Sequence, residues 1–197
     1  MPRRRLSITA AFLLLGVCAP WAFAGDTADT QPVELLGMHS SVPADWQAQQ
    51  PESNMRLAQF AVPAADPGEG DGAEMVVYYF GPTQGGSVEA NVERWQSQFT
   101  GPDGGSVEPE ITELSTRLGD DFAATLVSLR GSYARGVGMG PSGDALADRM
   151  LLAGIVETPE GNLYPQLHGP AALVAAQRPA FVGFIEGLIR APASAGD

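Results

Sequence analysis

Hydrophobic and polar residues alternate with a two-residue period over much of the chain, which is typical of β-strands. Segment 74–80 is apolar at nearly every position, so we expect a central strand covered on both faces. A compact turn at 159–161 between two apolar runs predicts a β-hairpin, and Trp46 is expected to pack on the core. The predicted strands are 33–38, 55–62, 74–80, 110–118, 122–135, 148–158 and 161–170.

The period changes to that of an amphipathic helix after residue 87. Ser87 is a suitable N-cap, Glu89 suits the positive end of the helix dipole, and the glycines and proline of 100–105 should end the helix. Its apolar stripe consists of Val88, Val92, Trp95 and Phe99.

A second helix is predicted near the end of the chain, with Pro179 at the start of its main body. Its apolar stripe consists of Phe181, Phe184, Ile185 and Leu188. Strands followed by a helix, more strands and a closing helix predict the α+β class. We therefore expect an antiparallel β-sheet of about six or seven strands, flanked by a central helix and a C-terminal helix.

The first 24 residues have the pattern of a cleaved export signal. Three arginines precede an apolar stretch, and Ala22-Phe23-Ala24 forms the small-x-small site that signal peptidase accepts. A Sec-type signal is favoured, with a twin-arginine signal or a lipoprotein anchored at Cys18 as alternatives. The predicted location is periplasmic or secreted. We expect a flexible leader at 25–33, a single domain at 34–190 and a disordered tail at 191–197.

Removal of the signal changes the charge and the available chemistry. Cys18 is the only cysteine and the chain has no lysine, so the mature protein lacks disulfides, thiolate ligands and Schiff-base lysines. Eight arginines remain against 23 acidic residues, a formal net charge of −15. Such a chain repels polyanions, so nucleic acid is excluded as a partner and anionic membrane surfaces are disfavoured. No stable membrane span is expected after cleavage.

The turn before the first helix is the one local candidate for a ligand site. Two adjacent glycines precede a helix N-terminus, where backbone N–H groups can hold an anion. The spacing matches neither a dinucleotide loop nor a Walker loop, which favours a simple chain reversal. The binding hypothesis assigns a small polar or anionic ligand to Gln84, Gly85, Gly86, Ser87, Asn91 and Arg94.

Other chemistry is weakly supported. His39 and His168 are the only histidines, and a zinc site would need both together with a carboxylate. The pair at 120–121 reads as a turn, and the acidic stretch 66–72 lacks the spacing of a calcium loop. We therefore predict no catalytic residues, no metal site and no cofactor. The loop 135–144 is a further candidate for a partner surface.

Several segments carry a resemblance to known proteins. The β-β-β-α-β-β-β-β-α order, Gly169-Pro170 after the last strand and the closing "FVGFIEGL" resemble the PsbP-like fold. More narrowly, "WQAQQPESNMRLAQF", "GGSVEANVERWQSQF" and "DRMLLAGIVETPEGNLYPQLHGP" resemble a set of uncharacterised exported bacterial proteins over about residues 35–190. The resemblance implies an accessory or binding module.

These observations favour an exported, non-catalytic accessory or binding protein whose partner is an envelope protein or a small polar ligand. Two alternatives stay open: a hydrolase with an unrecognised active site, and a structural subunit of an envelope complex. A pocket with convergent polar groups would favour the enzyme, and an exposed apolar patch without a pocket would favour the structural subunit.

Overall fold

The computed structural model describes residues 29–64, 71–134 and 145–191. The predicted signal peptide, the loop 135–144 and the tail from 192 onward lie outside the described residues. The strands are β1 (Thr30–Leu35), β2 (Met38–Pro43), β3 (Gln47–Gln49), β4 (Arg56–Val62), β5 (Ala73–Tyr79), β6 (Phe99–Thr100), β7 (Glu110–Ser115), β8 (Ala123–Tyr133), β9 (Leu146–Val156), β10 (Leu163–Pro170) and β11 (Ile189–Arg190). The helices are α1 (Val88–Gln96) and α2 (Ala171–Glu186).

The strands form two antiparallel sheets, which confirms the α+β class. The larger sheet has eight strands in the order β3-β4-β5-β10-β9-β8-β6, with β7 also paired to β8. The smaller sheet has three strands in the order β1-β2-β11. The structure therefore has more strands than the six or seven that were predicted, and they form two sheets where one was expected. As predicted, β5 is central, between β4 and β10, and the turn at 159–161 joins the β9–β10 hairpin.

The segment 33–38 was wrongly predicted as one strand. Leu36 and Gly37 both have positive φ, 51° and 77°, and they form the turn of a hairpin between β1 and β2. Glycine favours this conformation, whereas leucine rarely adopts it, so the residue type at 36 gave no warning of the turn.

The folded domain also extends beyond both predicted boundaries. β1 begins at Thr30, inside the predicted leader: Thr30 is an exposed position of the strand, and the half-buried Gln31 amide donates to the Pro43 and Trp46 carbonyls. The inward positions Val33 and Leu35 are buried, and Thr30 pairs with Pro43 of β2. At the other end, the Ala191 N–H donates to the Gly37 carbonyl over 2.8 Å, so the first residue of the predicted tail is fixed to the domain.

Helix α2 is continuous through Pro179, contrary to the prediction that this residue starts its main body. Proline removes one helical hydrogen bond and crowds the preceding turn. Pro179 is exposed, so solvent can satisfy the carbonyl that loses its partner. Buried residues on both sides of it, Val174 and Phe181, hold the two halves against the same core.

Two apolar cores lie on opposite faces of the larger sheet. Helix α2 packs against β9 and β10 and also against β2, so the first core fills the space between the two sheets. Trp46 joins this core and is 1% exposed, as predicted. Helix α1 covers part of the other face with Val92 and Trp95. It ends at Gln96, earlier than predicted, and Phe99 instead pairs with β8 through β6.

Candidate functional site

The structure brings the six predicted residues of the turn before α1 together, and hydrogen bonds join four of them, Gly85, Ser87, Asn91 and Arg94. The buried Asn91 amide nitrogen donates to the Gly85 and Ser87 carbonyls over 2.8 Å each. The Asn91 side-chain oxygen accepts from the Arg94 guanidinium. The Ser87 hydroxyl accepts from the Ala90 N–H over 3.2 Å, which confirms it as the N-cap.

Residue 85 must be glycine because Tyr164 of β10 lies very close to it. It has a φ of 110°, and a Cβ placed on it would lie 2.0 Å from the Tyr164 hydroxyl oxygen. That hydroxyl faces the Gln84 carbonyl at 3.4 Å. Gly86 and Ser87 are exposed, as are the side chains of Gln84 and Arg94. Gly85 thus serves the packing of β10 against the turn, and ligand binding by this turn stays a prediction.

One electrostatic effect is found at the start of α1. The pKa of Glu89 is lowered, first because its own backbone N–H bonds the carboxylate and then because the Ser87 hydroxyl does so. This arrangement stabilises the helix terminus with groups of the chain itself.

A cavity of about 270 Å³ lies where β5, β10, β9 and β8 come together at one end of the larger sheet. Its volume is near the lower end of small-molecule sites, which begin at about 300 Å³. The lining residues are Gly72, Ala73, Glu74, Tyr133, Leu146, Arg149, Met150, His168 and Gly169.

Strand register brings the polar residues of the cavity together. Glu74 pairs with His168 across β5 and β10, and His168 pairs with Leu151 on β9. Because directly paired residues share a face of the sheet, both polar side chains lie on the face that carries α1. Gly169 lets the strands approach, since a Cβ there would lie 2.6 Å from the Ala73 Cβ.

His168 is held between a carboxylate and an aromatic ring. Its Nε2 lies 3.1 Å from a Glu74 carboxylate oxygen, and both side chains are about a quarter exposed. The two groups are close enough to form an ion pair, but their geometry is not that of a hydrogen bond. The carboxylate therefore attracts the imidazole only when the imidazole is protonated. On the ring face, Tyr133 stacks on His168 at 6.1 Å between centroids, and Phe99 packs on Tyr133 at 5.0 Å.

A polar network behind the cavity orients Glu74. The Gln59 amide donates to the Glu74 carboxylate over 2.9 Å, and the Arg56 guanidinium lies 3.5 Å from the same oxygen. Gln59 is itself 3% exposed and accepts from Arg56 over 2.9 Å. Arg56 also pairs with Glu52 at 3.1 Å. A buried amide with these partners restricts the carboxylate to one orientation beside the imidazole.

A β-bulge shapes the other wall. Gly131 pairs with Arg149, yet two residues later Tyr133 pairs with Leu146, so β9 contains one extra residue. Asp148 takes a φ of 50° at this point, a conformation that aspartate tolerates better than most residues. Without the bulge the residue opposite Tyr133 would be an alanine. The bulge therefore adds a leucine side chain to the cavity.

The arrangement combines a histidine–carboxylate contact with apolar walls. Among the described residues that line the cavity, the only hydroxyl is the phenol of Tyr133, and no serine, threonine or cysteine is present. Arg149 is already paired with Asp71 at 2.7 Å. Within the described ranges, no three histidine, cysteine, aspartate or glutamate side chains form a group that could hold a metal. His39 lies in β2 of the smaller sheet, away from the strand that holds His168.

This cavity was not predicted from the sequence. Glu74 and His168 stand in strands that are otherwise mostly apolar, and this was the available signal. Neither residue belongs to a motif, and the loop 135–144, the predicted partner surface, lies outside the described residues. In the described part of the chain, no helix has the length and apolar character needed to cross a membrane.

No protein-family model and no curated protein matches the chain. Among solved structures, it is similar to PA94 from Pseudomonas aeruginosa, a protein of unknown function, with 19% identity over 77% of this chain and 90% of that chain and a TM-score of 0.43. It is also similar to CyanoP, the cyanobacterial PsbP of Synechocystis sp. PCC 6803, with 13% identity over 88% of this chain and 97% of that chain and a TM-score of 0.49. Because the identities and TM-scores are low, no ligand, partner or activity is inferred from them.

Proposed function

We propose that the protein is an exported accessory or binding module that takes a small ligand in the cavity beside His168. The observation that carries the proposal is the convergence of polar groups and apolar walls from four strands on one small space. Binding sites usually have this composition, with mostly apolar walls and a few placed polar groups. Strands position these groups more rigidly than a loop would.

The choice of binding over catalysis depends on what lines the cavity. A pocket with convergent polar groups was the feature expected to favour an enzyme. A histidine acting as a base for nucleophilic catalysis needs a hydroxyl or thiol within hydrogen-bond reach. Tyr133 contacts His168 through its ring, and the described lining offers no other hydroxyl. The geometry therefore supports binding better than nucleophilic catalysis.

A substitution that fills the cavity tests this proposal. Leu146 is 51% exposed, so Leu146→Trp should fill the cavity without disturbing either core. Ile111 on β7 is equally exposed, at 51%, and does not line the cavity, so Ile111→Trp is the matched control. The three proteins are purified from the periplasm and compared by native mass spectrometry. We expect a small-molecule adduct on the wild type and on Ile111→Trp that is missing from Leu146→Trp. Adducts that are equal on all three proteins, or missing from all three, would contradict the proposal.

A hydrolase is the second candidate, and the 3.1 Å contact between His168 and Glu74 is the observation that favours it. Such a pair could activate a water molecule directly. A general esterase and phosphatase screen tests this function on the wild type, on His168→Ala and on His39→Ala. Activity that is lost in His168→Ala and kept in His39→Ala would favour a hydrolase over a binding module. Activity that is unchanged in His168→Ala would show that the cavity is not the active site.

Export is a separate part of the proposal, supported by the pattern of residues 1–24. We expect the mature N-terminus at Gly25 and the protein in the periplasmic fraction. N-terminal sequencing of the purified protein tests both points. A lipid-modified N-terminus at Cys18 would support the lipoprotein alternative, and an uncleaved cytoplasmic chain would contradict export.

A further inference from the structure

We propose that β7 is a docking strand for a partner protein, which adds an extended segment with basic residues to the free edge of the larger sheet. No residue of β7 lines the cavity, so this surface goes beyond the proposed function and does not depend on it. The proposal rests on three properties of β7: its free edge, its exposed side chains and its charge.

The free edge of β7 is long and regular. β7 pairs with β8 at six consecutive positions, from Glu110 to Ser115, and in the described ranges no strand pairs with its other side. The other edge strands offer less: β3 has three residues, and β6 and β11 have two each. β1 has six, but its Pro32 cannot donate a backbone hydrogen bond. Within the described residues, β7 therefore presents the longest unbroken row of backbone donors and acceptors, which is what an added strand uses.

The side chains on one face of β7 are open to a partner. Ile111, Glu113 and Ser115 alternate on this face, and all three are exposed. Ile111 pairs with the buried Val127, so this is the face that carries α1, yet Ile111 itself is 51% exposed. A strand added beside β7 would place one of its side chains next to Ile111 and bury part of this apolar surface.

The charge on and beside β7 is negative. Residues 108–121 contain five acidic residues and one arginine. The Arg178 guanidinium lies 3.3 Å from the Glu110 carboxylate, and three negative charges remain when both arginines are counted. The Glu113 carboxylate accepts only a long hydrogen bond from the Thr125 hydroxyl, at 3.4 Å, and belongs to none of the ion pairs in the described part of the chain. An arginine or lysine opposite Glu113 would give this carboxylate a cationic partner.

The same charge argues against a second copy of this chain as the partner. Two β7 strands paired antiparallel would bring the glutamates of both copies together, and each chain has a formal net charge of −12. Like charges on paired strands are destabilising, and charged side chains are a common protection of edge strands against self-association. The glutamates therefore disfavour a copy of the chain and favour a strand of opposite charge.

Two synthetic hexapeptides separate charge from strand formation. The basic peptide Ac-Thr-Thr-Arg-Thr-Val-Arg-NH₂, paired antiparallel with residues 110–115, places arginines opposite Glu113 and Glu110 and a valine opposite Ile111. In the acidic peptide, glutamates replace both arginines. NMR titration at low salt follows the amide signals of residues 110–115 of the wild-type protein. We expect the basic peptide to shift these signals and to bind about tenfold more tightly than the acidic peptide, a preference that about 1 M salt should remove.

Backbone methylation tests whether the peptide binds as a strand. In an antiparallel pair, only alternate residues of the added strand exchange backbone hydrogen bonds with β7. One basic peptide is N-methylated at its first, third and fifth residues, and another at its second, fourth and sixth. We expect only one of these isomers to lose binding. Isomers that bind equally, whether both tightly or both weakly, would contradict strand addition.

Two charge-reversing variants test the role of Glu113. Glu113→Lys should reverse the preference, so that the acidic peptide binds more tightly than the basic one. Glu93→Lys changes an exposed position on α1 and should keep the preference of the wild type. If Glu113→Lys does not fold, the ranking of the two peptides on the wild type still decides the question.

Sedimentation of the wild type alone tests the second copy, and we expect a monomer. A dimer whose formation shifts the amide signals of 110–115 would assign the edge to another copy of the chain and overturn the proposal. Equal affinity for the two peptides, or no shifts at 110–115 with either, would overturn it as well. The proposed function fails separately, when the adducts of the wild type and of Leu146→Trp are the same.

Discussion

The turn before α1 and the cavity beside His168 are both rich in polar groups, yet they use them in opposite ways. In the turn, Asn91 is fully buried and each side-chain atom that can form a hydrogen bond meets another group of the chain. In the cavity, Glu74 and His168 are about a quarter exposed and face a space that a ligand could occupy. Polar groups that satisfy one another stabilise a fold, whereas polar groups held beside open space can recognise a ligand. The comparison predicts that substitutions in the turn reduce stability and that substitutions in the cavity reduce binding.

The largest effect is expected for Gly85→Ala. The new Cβ would lie 2.0 Å from the Tyr164 hydroxyl oxygen, and the φ of 110° disfavours any side chain. Strain and overpacking together should lower the free energy of unfolding by about 4 kcal/mol. Urea denaturation measures the loss. Gly86→Ala is the control: its φ is 80°, but its nearest neighbour would be 3.8 Å away, so it should lose about 1 kcal/mol. Equal losses would show that contact with β10 does not fix the turn.

Asn91→Ala should have the next largest effect. The substitution removes three hydrogen bonds and leaves the Gly85 carbonyl without its buried donor, whereas the Ser87 carbonyl keeps the backbone N–H of residue 91 at 3.2 Å. We expect a loss of about 2.5 kcal/mol in the free energy of unfolding, measured by urea denaturation. Gln84→Ala removes an exposed side chain from the same turn and should change stability by less than about 0.5 kcal/mol. A small loss for Asn91→Ala would mean that the turn does not depend on its internal bonds.

The features that were predicted correctly from the sequence depend on residues that are close together in the chain. The stripe that begins at Val88, the cap at Ser87 and the turn at 159–161 are local features, and the structure contains all three. The hairpin at Leu36 was missed because leucine carries no signal for positive φ. The prediction that the main body of α2 begins at Pro179 was wrong. Whether a proline interrupts a helix depends on its exposure to solvent, which the sequence alone does not give.

The cavity could not be predicted for a different reason. Tyr133, Arg149 and His168 come from the consecutive strands β8, β9 and β10, whereas Glu74 comes from β5, which is far from them in the chain. Only the pairing of β5 with β10, of β10 with β9 and of β9 with β8 brings them together. One-residue changes of register, such as the bulge in β9, decide which side chain faces the cavity.

His168→Ala should affect stability less than Asn91→Ala does. The imidazole is partly exposed and contributes one ring contact and one polar contact, so we expect a loss of about 1 kcal/mol. The midpoint of thermal unfolding measures this loss. A variant that loses as much stability as Asn91→Ala would place His168 among the structural residues and remove the contrast between the two regions.

The smallest effect is expected at the start of α1, where the carboxylate of Glu89 is stabilised by its own backbone N–H and by the Ser87 hydroxyl. Since the pKa of Glu89 is lowered in the folded protein, its ionised form stabilises the fold at neutral pH. This contribution is present above the unfolded-state pKa and is lost as the pH falls through the lower, folded-state pKa. Glu89→Gln should therefore be less stable than the wild type at about pH 7, and the difference should shrink towards about pH 3. Glu93→Gln changes a carboxylate in the last turns of the same helix, where negative charge opposes the dipole, so it should be neutral or slightly stabilising at about pH 7. Urea denaturation of the three proteins across this pH range measures both effects. If both variants lose stability equally, general surface charge and not the bonds at the helix start accounts for the role of Glu89.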